Sequence, residues 1–204
     1  MPSKLTWLGW ALVAALAAIA GFYVAHRSGS SARELTSGTW LPQPRPLEEF
    51  SLTDEAGRPF HLADLSTQPT IVFFGFTHCP DVCPTTLAKL AQITKGAAIP
   101  ELRVVFVSVD PTRDTPQVLE QYVHAFSPSF KGLTGTPADV EHLTRQFSVA
   151  VERVDLGGGD YTMDHSAAIF LLDRQARQVA IFTPPFETER VAADLRSVAD
   201  QLRR

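Results

Sequence analysis

Two nearly uninterrupted apolar runs, TIVFF at Thr70 to Phe74 and LRVVFVSV at Leu102 to Val109, set the strongest limit on how this chain can fold. Neither alternates apolar with polar residues, so each predicts a strand covered on both faces, as parallel strands flanked by helices are. Between them, Pro84 to Thr94 carries Leu87, Leu90 and Ala91 at helical spacing. Thr115-Pro116 reads as an N-cap followed by proline at the first helical position. Val118, Leu119, Tyr122, Val123 and Phe126 then fall on one face. Thr136-Pro137-Ala138-Asp139 repeats the start signal, with Val140, Leu143 and Phe147 behind it. Phe50 to Leu52 and Pro59 to Leu62 flank the turn-like DEAG at Asp54 to Gly57, predicting an early hairpin. A late hairpin is expected from Ala168 to Leu172 and Val179 to Phe182, and a closing helix buries Val191, Leu195, Val198 and Leu202.

Strands alternating with helices, then a hairpin and a last helix, predict a three-layer α/β sandwich, and thioredoxin-like topology fits this order. An apolar fraction of 45% with 20% charged residues is ordinary for a globular domain. The formal charge of −4 comes without a basic stripe, which excludes nucleic acid as a partner. Two cysteines cannot build a disulfide framework, so the fold must stand on its core.

The N-terminus differs in kind. Leu5 to Ala25 is uncharged and long enough to cross a hydrocarbon core of ~30 Å at ~1.5 Å per residue. Trp7, Trp10 and Tyr23 lie toward its ends, where amphipathic rings favour the interface. Ala18-Ile19-Ala20 would suit a signal peptidase, but the apolar run continues past it and Lys4 makes a weak leader, so a retained anchor is expected. The expected organisation is therefore a membrane anchor at 1–25, a tether at 26–46 and a folded domain at 47–204. The tether is rich in Ser and Gly, stiffened by Pro42, Pro44 and Pro46, with Trp40 and Leu41 packing on the domain edge. Lys4 on one side and Arg27 and Arg33 on the other leave the orientation open.

Both cysteines lie in FGFTHCPDVCPTTL, Phe74 to Leu87. Pro84 is tolerated only in a first helical turn, which puts Cys79 and Cys83 where the first buried strand leaves the sheet and a helix begins. Open α/β sheets bind ligands at that edge. A helix N-terminus there is expected to depress a cysteine pKa, favouring a nucleophile or a metal ligand. On one helical turn the pair suits either a disulfide, with Cα atoms ~4.4–6.8 Å apart, or joint coordination of a metal. The spacing is one residue longer than C-x-x-C, and a structural zinc site lacks ligands. Two inert buried cysteines are the bland alternative.

A third ligand would decide for a metal, and the candidates are the six histidines. His26 lies at the expected membrane edge, His61 in the early hairpin, and His124 and His142 on or beside helices. His78 adjoins Cys79, and neighbours on an extended chain point to opposite faces. His165 ends the glycine-bearing loop Asp155 to Asp164 and precedes the strand Ala168 to Leu172, which in a thioredoxin-like sheet places it against the cysteine turn.

FGFTHCPDVCPTTL, SVDPTRDTP at Ser108 to Pro116 and YTMDHSAAIFLLD at Tyr161 to Asp173 together resemble the Sco/SenC family of copper chaperones, with similarity across residues 38–200. The resemblance implies a thioredoxin fold that binds one copper, Cu(I) or Cu(II), through Cys79, Cys83 and His165. It implies a role in building the binuclear copper centre of the copper-bearing subunit of cytochrome c oxidase, with contacts to other periplasmic copper chaperones. It also implies an inner-membrane anchor with the domain in the periplasm. The same dithiol, Cys79 and Cys83, could instead act as a thiol–disulfide reductase of that subunit's cysteines. Soft thiolates suit Cu(I), and an imidazole helps accommodate Cu(II). Asp110, Tyr161, Met163 and Asp164 are expected near this site, Met163 as loop packing. A peroxidase is disfavoured, since Thr77 stands two residues before Cys79 where the T-x-x-C pattern needs three.

Overall fold

In the computed structural model, which describes residues 35–202 together with 15, 17–19 and 21, the two apolar runs become neighbouring parallel strands. The anchor expected at 1–25 and the first part of the tether otherwise lie outside the described residues. Among the described residues no helix is long and apolar enough to cross a membrane. The chain divides after Arg33, and the architecture below is that of the part from Glu34 onward.

The first half of the domain runs β1 (Gly38–Pro46), β2 (Ser51–Asp54), β3 (Pro59–His61), α1 (Leu62–Leu65), β4 (Thr70–Gly75), α2 (Val82–Ala97) and β5 (Arg103–Ser108). The second half adds α3 (Pro116–His124), β6 (Lys131–Thr134), α4 (Pro137–Gln146), β7 (Val151–Gly157), β8 (Asp160–His165), β9 (Ile169–Leu172), β10 (Arg177–Phe182) and α5 (Thr188–Leu202). Eight strands form one sheet in the order β1-β10-β9-β4-β5-β6-β2-β3, and β7 pairs with β8 in a separate ribbon.

Parallel pairing of β4 with β5 and of β5 with β6 steps in one direction across the sheet. Right-handed crossovers then lay α2 and α3 on the same face. Phe106 bears this out: its ring meets Tyr122 of α3 at 5.6 Å and, with the Cys83 sulfur of α2, borders the space above Gly75. α5 lies against α2. A Cβ on Gly132 of β6 would stand 3.0 Å from the Cβ of Leu119, so glycine is what lets α3 approach. The opposite face carries Phe74, whose ring meets Phe147, just past α4, at 5.2 Å and Phe170 at 6.0 Å. These two helical layers around a sheet make the expected sandwich.

The start signals hold. Thr115 accepts a hydrogen bond from the Val118 amide, and Thr136 and Asp139 complete a capping box. Val118, expected on the buried face of its helix, is 37% exposed instead. Two expectations fail outright. Gly38–Pro46, read as the stiff end of a tether, is β1 and pairs antiparallel with β10, although the expected packing of Trp40 and Leu41 on the domain holds, with Leu41 buried and Trp40 against the core. Asp155 to Asp164, read as a loop, is most of a hairpin, turning through Gly157, Gly158 and Gly159 at φ of 89°, 66° and 88°. Those left-handed angles are what glycine supplies without strain.

The start of β1 is fixed from the far end of the chain. Asp194 on α5, buried, accepts from the amide and hydroxyl of Thr36, both at 2.9 Å, and from those of Ser37 at 2.8 and 2.6 Å. Burial works against the charge, but these four bonds outweigh it and hold the carboxyl below its usual pKa of 3.8. A carboxyl depressed in the folded state adds stability above its unfolded pKa and loses it as pH falls through the folded value. Asp194→Asn should therefore cost about 1–3 kcal/mol near neutral pH. Denaturant titrations should show the gap from the parent chain shrinking once the pH drops below 3.8.

Candidate metal centre

At the carboxyl end of β4 the chain leaves the sheet, and α2 begins at Val82, earlier than the position of Pro84 suggests. Cys83 is therefore within the first helical turn, whereas Cys79 sits in the turn before it, its amide bonded to the Phe76 carbonyl at 3.3 Å. Asp81 occupies the N-cap position without a side-chain cap bond. The sulfur of Cys79 does that work instead, accepting the Cys83 amide at 3.4 Å. Pro84 follows inside the first turn, where no intrahelical donor is required.

Cys83 is fully buried and Cys79 half-buried, both as free thiols. Burial pushes the Cys83 thiol well above its ordinary pKa, with the nearby charges of Cys79 and Asp114 adding to the rise and a bond from the Phe76 backbone opposing it. The expectation that the helix end would depress a cysteine pKa fails here. Desolvation of a wholly enclosed thiolate outweighs the partial charge of a helix terminus.

The ribbon β7–β8 delivers His165 to this point. Its Nε2 lies 3.7 Å from the Cys83 sulfur, and its Nδ1 lies 3.1 Å from the Ser166 carbonyl. A carbonyl only accepts, so Nδ1 carries the proton and Nε2 presents its lone pair to Cys83. Burial lowers the His165 pKa, which keeps the imidazole neutral, the form that binds metals. Phe76 and Phe73 wall the ring, at 5.9 and 6.5 Å between centroids.

Two carboxylates in the loop after β5 fix the two halves of the site. Asp114, fully buried, accepts from the Thr77 amide at 3.0 Å, the Thr77 hydroxyl at 2.6 Å and the Ser108 hydroxyl at 2.6 Å. It thereby holds the cysteine turn to the end of β5. Asp110 accepts from the Tyr161 hydroxyl at 2.9 Å and is paired with Arg113. Arg113 and Arg153 lie over the Tyr161 ring at 3.7 and 3.8 Å from its centroid, and Arg113 also donates to the Tyr161 carbonyl at 3.0 Å. This clamp fastens the ribbon, and so His165, to the domain. Asp114 and Arg113 went unnoticed in the sequence and Thr77 was weighed only against a peroxidase pattern, although all three belong to the quoted motifs.

The other candidates fall elsewhere. His78 is exposed, with Nδ1 3.2 Å from the Thr77 hydroxyl. His61 caps α1, and His142 reaches the Glu49 carbonyl at 3.2 Å. His26 lies outside the described residues. Met163 packs against the core, and Asp164 stands opposite Glu152 across the ribbon. Among the described residues, no group of three His, Cys, Asp or Glu side chains is arranged to hold a metal ion as it stands. What stands ready is the Cys83–His165 pair, with Cys79 hydrogen-bonded beside it. Two soft sulfurs and one imidazole form a donor set suited to copper.

The SCO1/SenC family model matches residues 41–200. An SCO2-like protein of Rickettsia prowazekii is 37% identical over 137 residues, covering 65% of this chain and 67% of the relative. A copper-bound ScoI of Arabidopsis thaliana superposes with a TM-score of 0.72 at 32% identity, over 76% of this chain and 98% of the other. The copper-bound ScoI of Bradyrhizobium japonicum does so at 0.68 and 39%, over 74% and 98%. These superpositions extend the thioredoxin-like reading of the fold to solved structures.

Gly75, the last residue of β4, is where sheet and site meet. A Cβ there would lie 2.6 Å from Phe106 Cε2 and 3.0 Å from the Cys83 sulfur. Gly75→Ala should destabilise the domain by about 1–3 kcal/mol through overpacking. Chemical denaturation checks the energy. The rate of Cys83 alkylation, expected to rise, checks that the displacement is felt at the sulfur.

Proposed function

The chain belongs to the SCO1/SenC family, and on that premise we propose that it is a copper chaperone serving cytochrome c oxidase, taking copper as cargo on Cys79, Cys83 and His165. The observation that carries this reading is the 3.7 Å approach of the His165 Nε2 lone pair to the Cys83 sulfur, beside the Cys79 sulfur that caps the same helix. The raised pKa of Cys83 means that its proton must leave as copper arrives, so uptake releases protons and weakens in acid. The two sulfurs favour Cu(I), and the neutral imidazole adds the nitrogen that Cu(II) prefers. Relatives solved with copper bound and matched along almost their whole length support the same cargo. Its destination in this reading is the binuclear copper centre of the oxidase's copper-bearing subunit.

A second reading rests on the unequal burial of the two thiols. Cys79, half-buried, is placed to attack a disulfide of that subunit, and buried Cys83 is placed to resolve the mixed disulfide. The two activities are compatible, because only the dithiol form can hold Cu(I).

The full chain, purified in detergent and reduced, should bind one copper. Cys79→Ser and Cys83→Ser should each abolish tight binding, by metal analysis and competition with a chelator of known affinity. His165→Ala should weaken Cu(II) far more than Cu(I), because two sulfurs alone still hold Cu(I). Stoichiometric, tight copper in both cysteine variants would sink the assignment.

The uncharged run Leu5 to Ala25 serves, in this proposal, as a single inner-membrane anchor that leaves the domain in the periplasm. A reporter enzyme that works only outside the cytoplasm, fused after Arg204, should be active and remain with the membranes after carbonate washing. Release of a shortened soluble product would replace the anchor with a cleaved leader.

A further inference from the structure

Large apolar side chains exposed on the folded domain are few, and they are not spread evenly. Among the described residues from Glu34 onward they are Val82, Val118, Val151, Val154 and Leu156, the last 62% exposed. All but Val118 lie on the two segments that carry the donors of the candidate centre. Val82 directly precedes Cys83, and Val151 is the register partner of His165 across the ribbon. Val154 and Leu156 follow on β7. Single exposed valines need no explanation, whereas a group collected round one site marks a surface that another molecule covers.

Charge on the same segments says what that molecule is like. The ribbon and its turn hold Glu152, Asp155, Asp160 and Asp164 against Arg153 alone. Asp155 pairs with Arg153 at 3.0 Å, and Asp160 stands 3.7 Å from Arg113. Glu152 and Asp164 have no ion pair among the described residues, although they stand opposite each other across the ribbon. Like charges so placed weaken a strand pair, so the fold gains nothing from them. Tyr161, Met163 and His165 turn toward the domain. Strand alternation puts Glu152, Val154, Thr162 and Asp164 on the other, open face. With Val151, His165 and Ser166, the two carboxylates also line a hollow of about 340 Å³. On the other lip, exposed Asp81 stands next to Val82.

We propose that the open face of the ribbon and the Asp81–Val82 corner form a docking surface for the protein that receives copper from this chain, and that this partner surrounds its own metal ligands with apolar residues and with lysine or arginine. The inference rests on the copper reading above and adds to it the chemistry of the partner. Acidic groups at the rim draw such a partner in, and the exposed valines and Leu156 hold it once seated. A cationic side chain in the hollow lies against Glu152 and Asp164, beside the one ligand that comes from the ribbon. Transfer as Cu(I) changes no oxidation state: two partner thiols give up their protons, and Cys79 and Cys83 take protons up.

The test follows transfer of Cu(I) from the full, copper-loaded chain in detergent to the reduced, metal-free copper-bearing domain of the oxidase subunit, by stopped flow. The second-order rate constant of the parent should fall about tenfold between low and physiological ionic strength. Glu152→Lys should slow transfer at low salt and flatten that dependence. Leu156→Ser should raise the partner concentration needed for half-maximal rate roughly threefold and leave the salt dependence as it is. Both variants should bind one copper with the parent's affinity and yield it to an uncharged small chelator at the parent's rate. A rate that rises with salt, or variants that match the parent toward the subunit domain, would overturn the inference. So would an equal slowing toward the chelator, which would place these residues in copper release itself. Self-association of the chain that Leu156→Ser abolishes would also overturn it, by making a second copy the occupant. A parent that takes up no copper would instead remove the copper reading, and this inference with it.

Discussion

Asp114 is a fully buried carboxylate, and the candidate site hangs from it. An ionised carboxylate deprived of water is costly unless strong donors replace the hydration it gives up. Here the donors are the amide and hydroxyl of Thr77 and the hydroxyl of Ser108, and the nearest cationic candidate, His78, stands off at 3.9 Å. Those bonds place the residue two before Cys79 against the last residue of β5. The cysteine turn is thus fixed from the side of the sheet as well as from the helix it starts. A charge that needs these donors cannot release the turn without being left unsolvated, which makes the arrangement close to all-or-none.

The loop that supplies Asp114 also supplies Asp110 and Arg113, which grip Tyr161 on the ribbon bearing His165. One short segment therefore sets both halves of the site: the cysteines through Thr77, the histidine through Tyr161. This division suits the proposed cargo role, in which a metal is held and then given up. The ribbon touches the domain through the Arg113 guanidinium stacked on Tyr161, a few polar bonds and the packing of Met163 and the His165 ring, whereas the turn is anchored in the core. Separating the imidazole from the sulfurs would disturb the ribbon's clamp and leave the sheet intact.

Legibility in the sequence followed burial. β4 and β5 could be read because covered strands are written almost wholly in apolar residues, and the starts of α3 and α4 because threonine, proline and aspartate carry local chemistry. β6 passed unnoticed: its four residues include Lys131 and Gly132, and only the approach of Leu119 explains the glycine. The ribbon was invisible for the opposite reason, since β7 is exposed along its whole length and shows no alternation. β1 was mistaken for linker because its prolines dominate the local signal, while the bond that fixes it comes from Asp194, 158 positions away. The approach of His165 to the cysteine turn was reachable from the order of elements and the family resemblance. The direction of the Cys83 pKa was not, because a motif does not report how completely a side chain is enclosed.

β1 closes one edge of the eight-stranded sheet, and Pro42, Pro44 and Pro46 lie along it. Each proline removes a backbone N–H that an incoming strand would need, and edge strands are where separate chains zip together. A domain anchored as proposed above would meet its neighbours in two dimensions, at local concentrations far above those of a dilute solution. An edge depleted of donors lets domains crowd and collide without joining their sheets, which keeps the cysteine face of each one free.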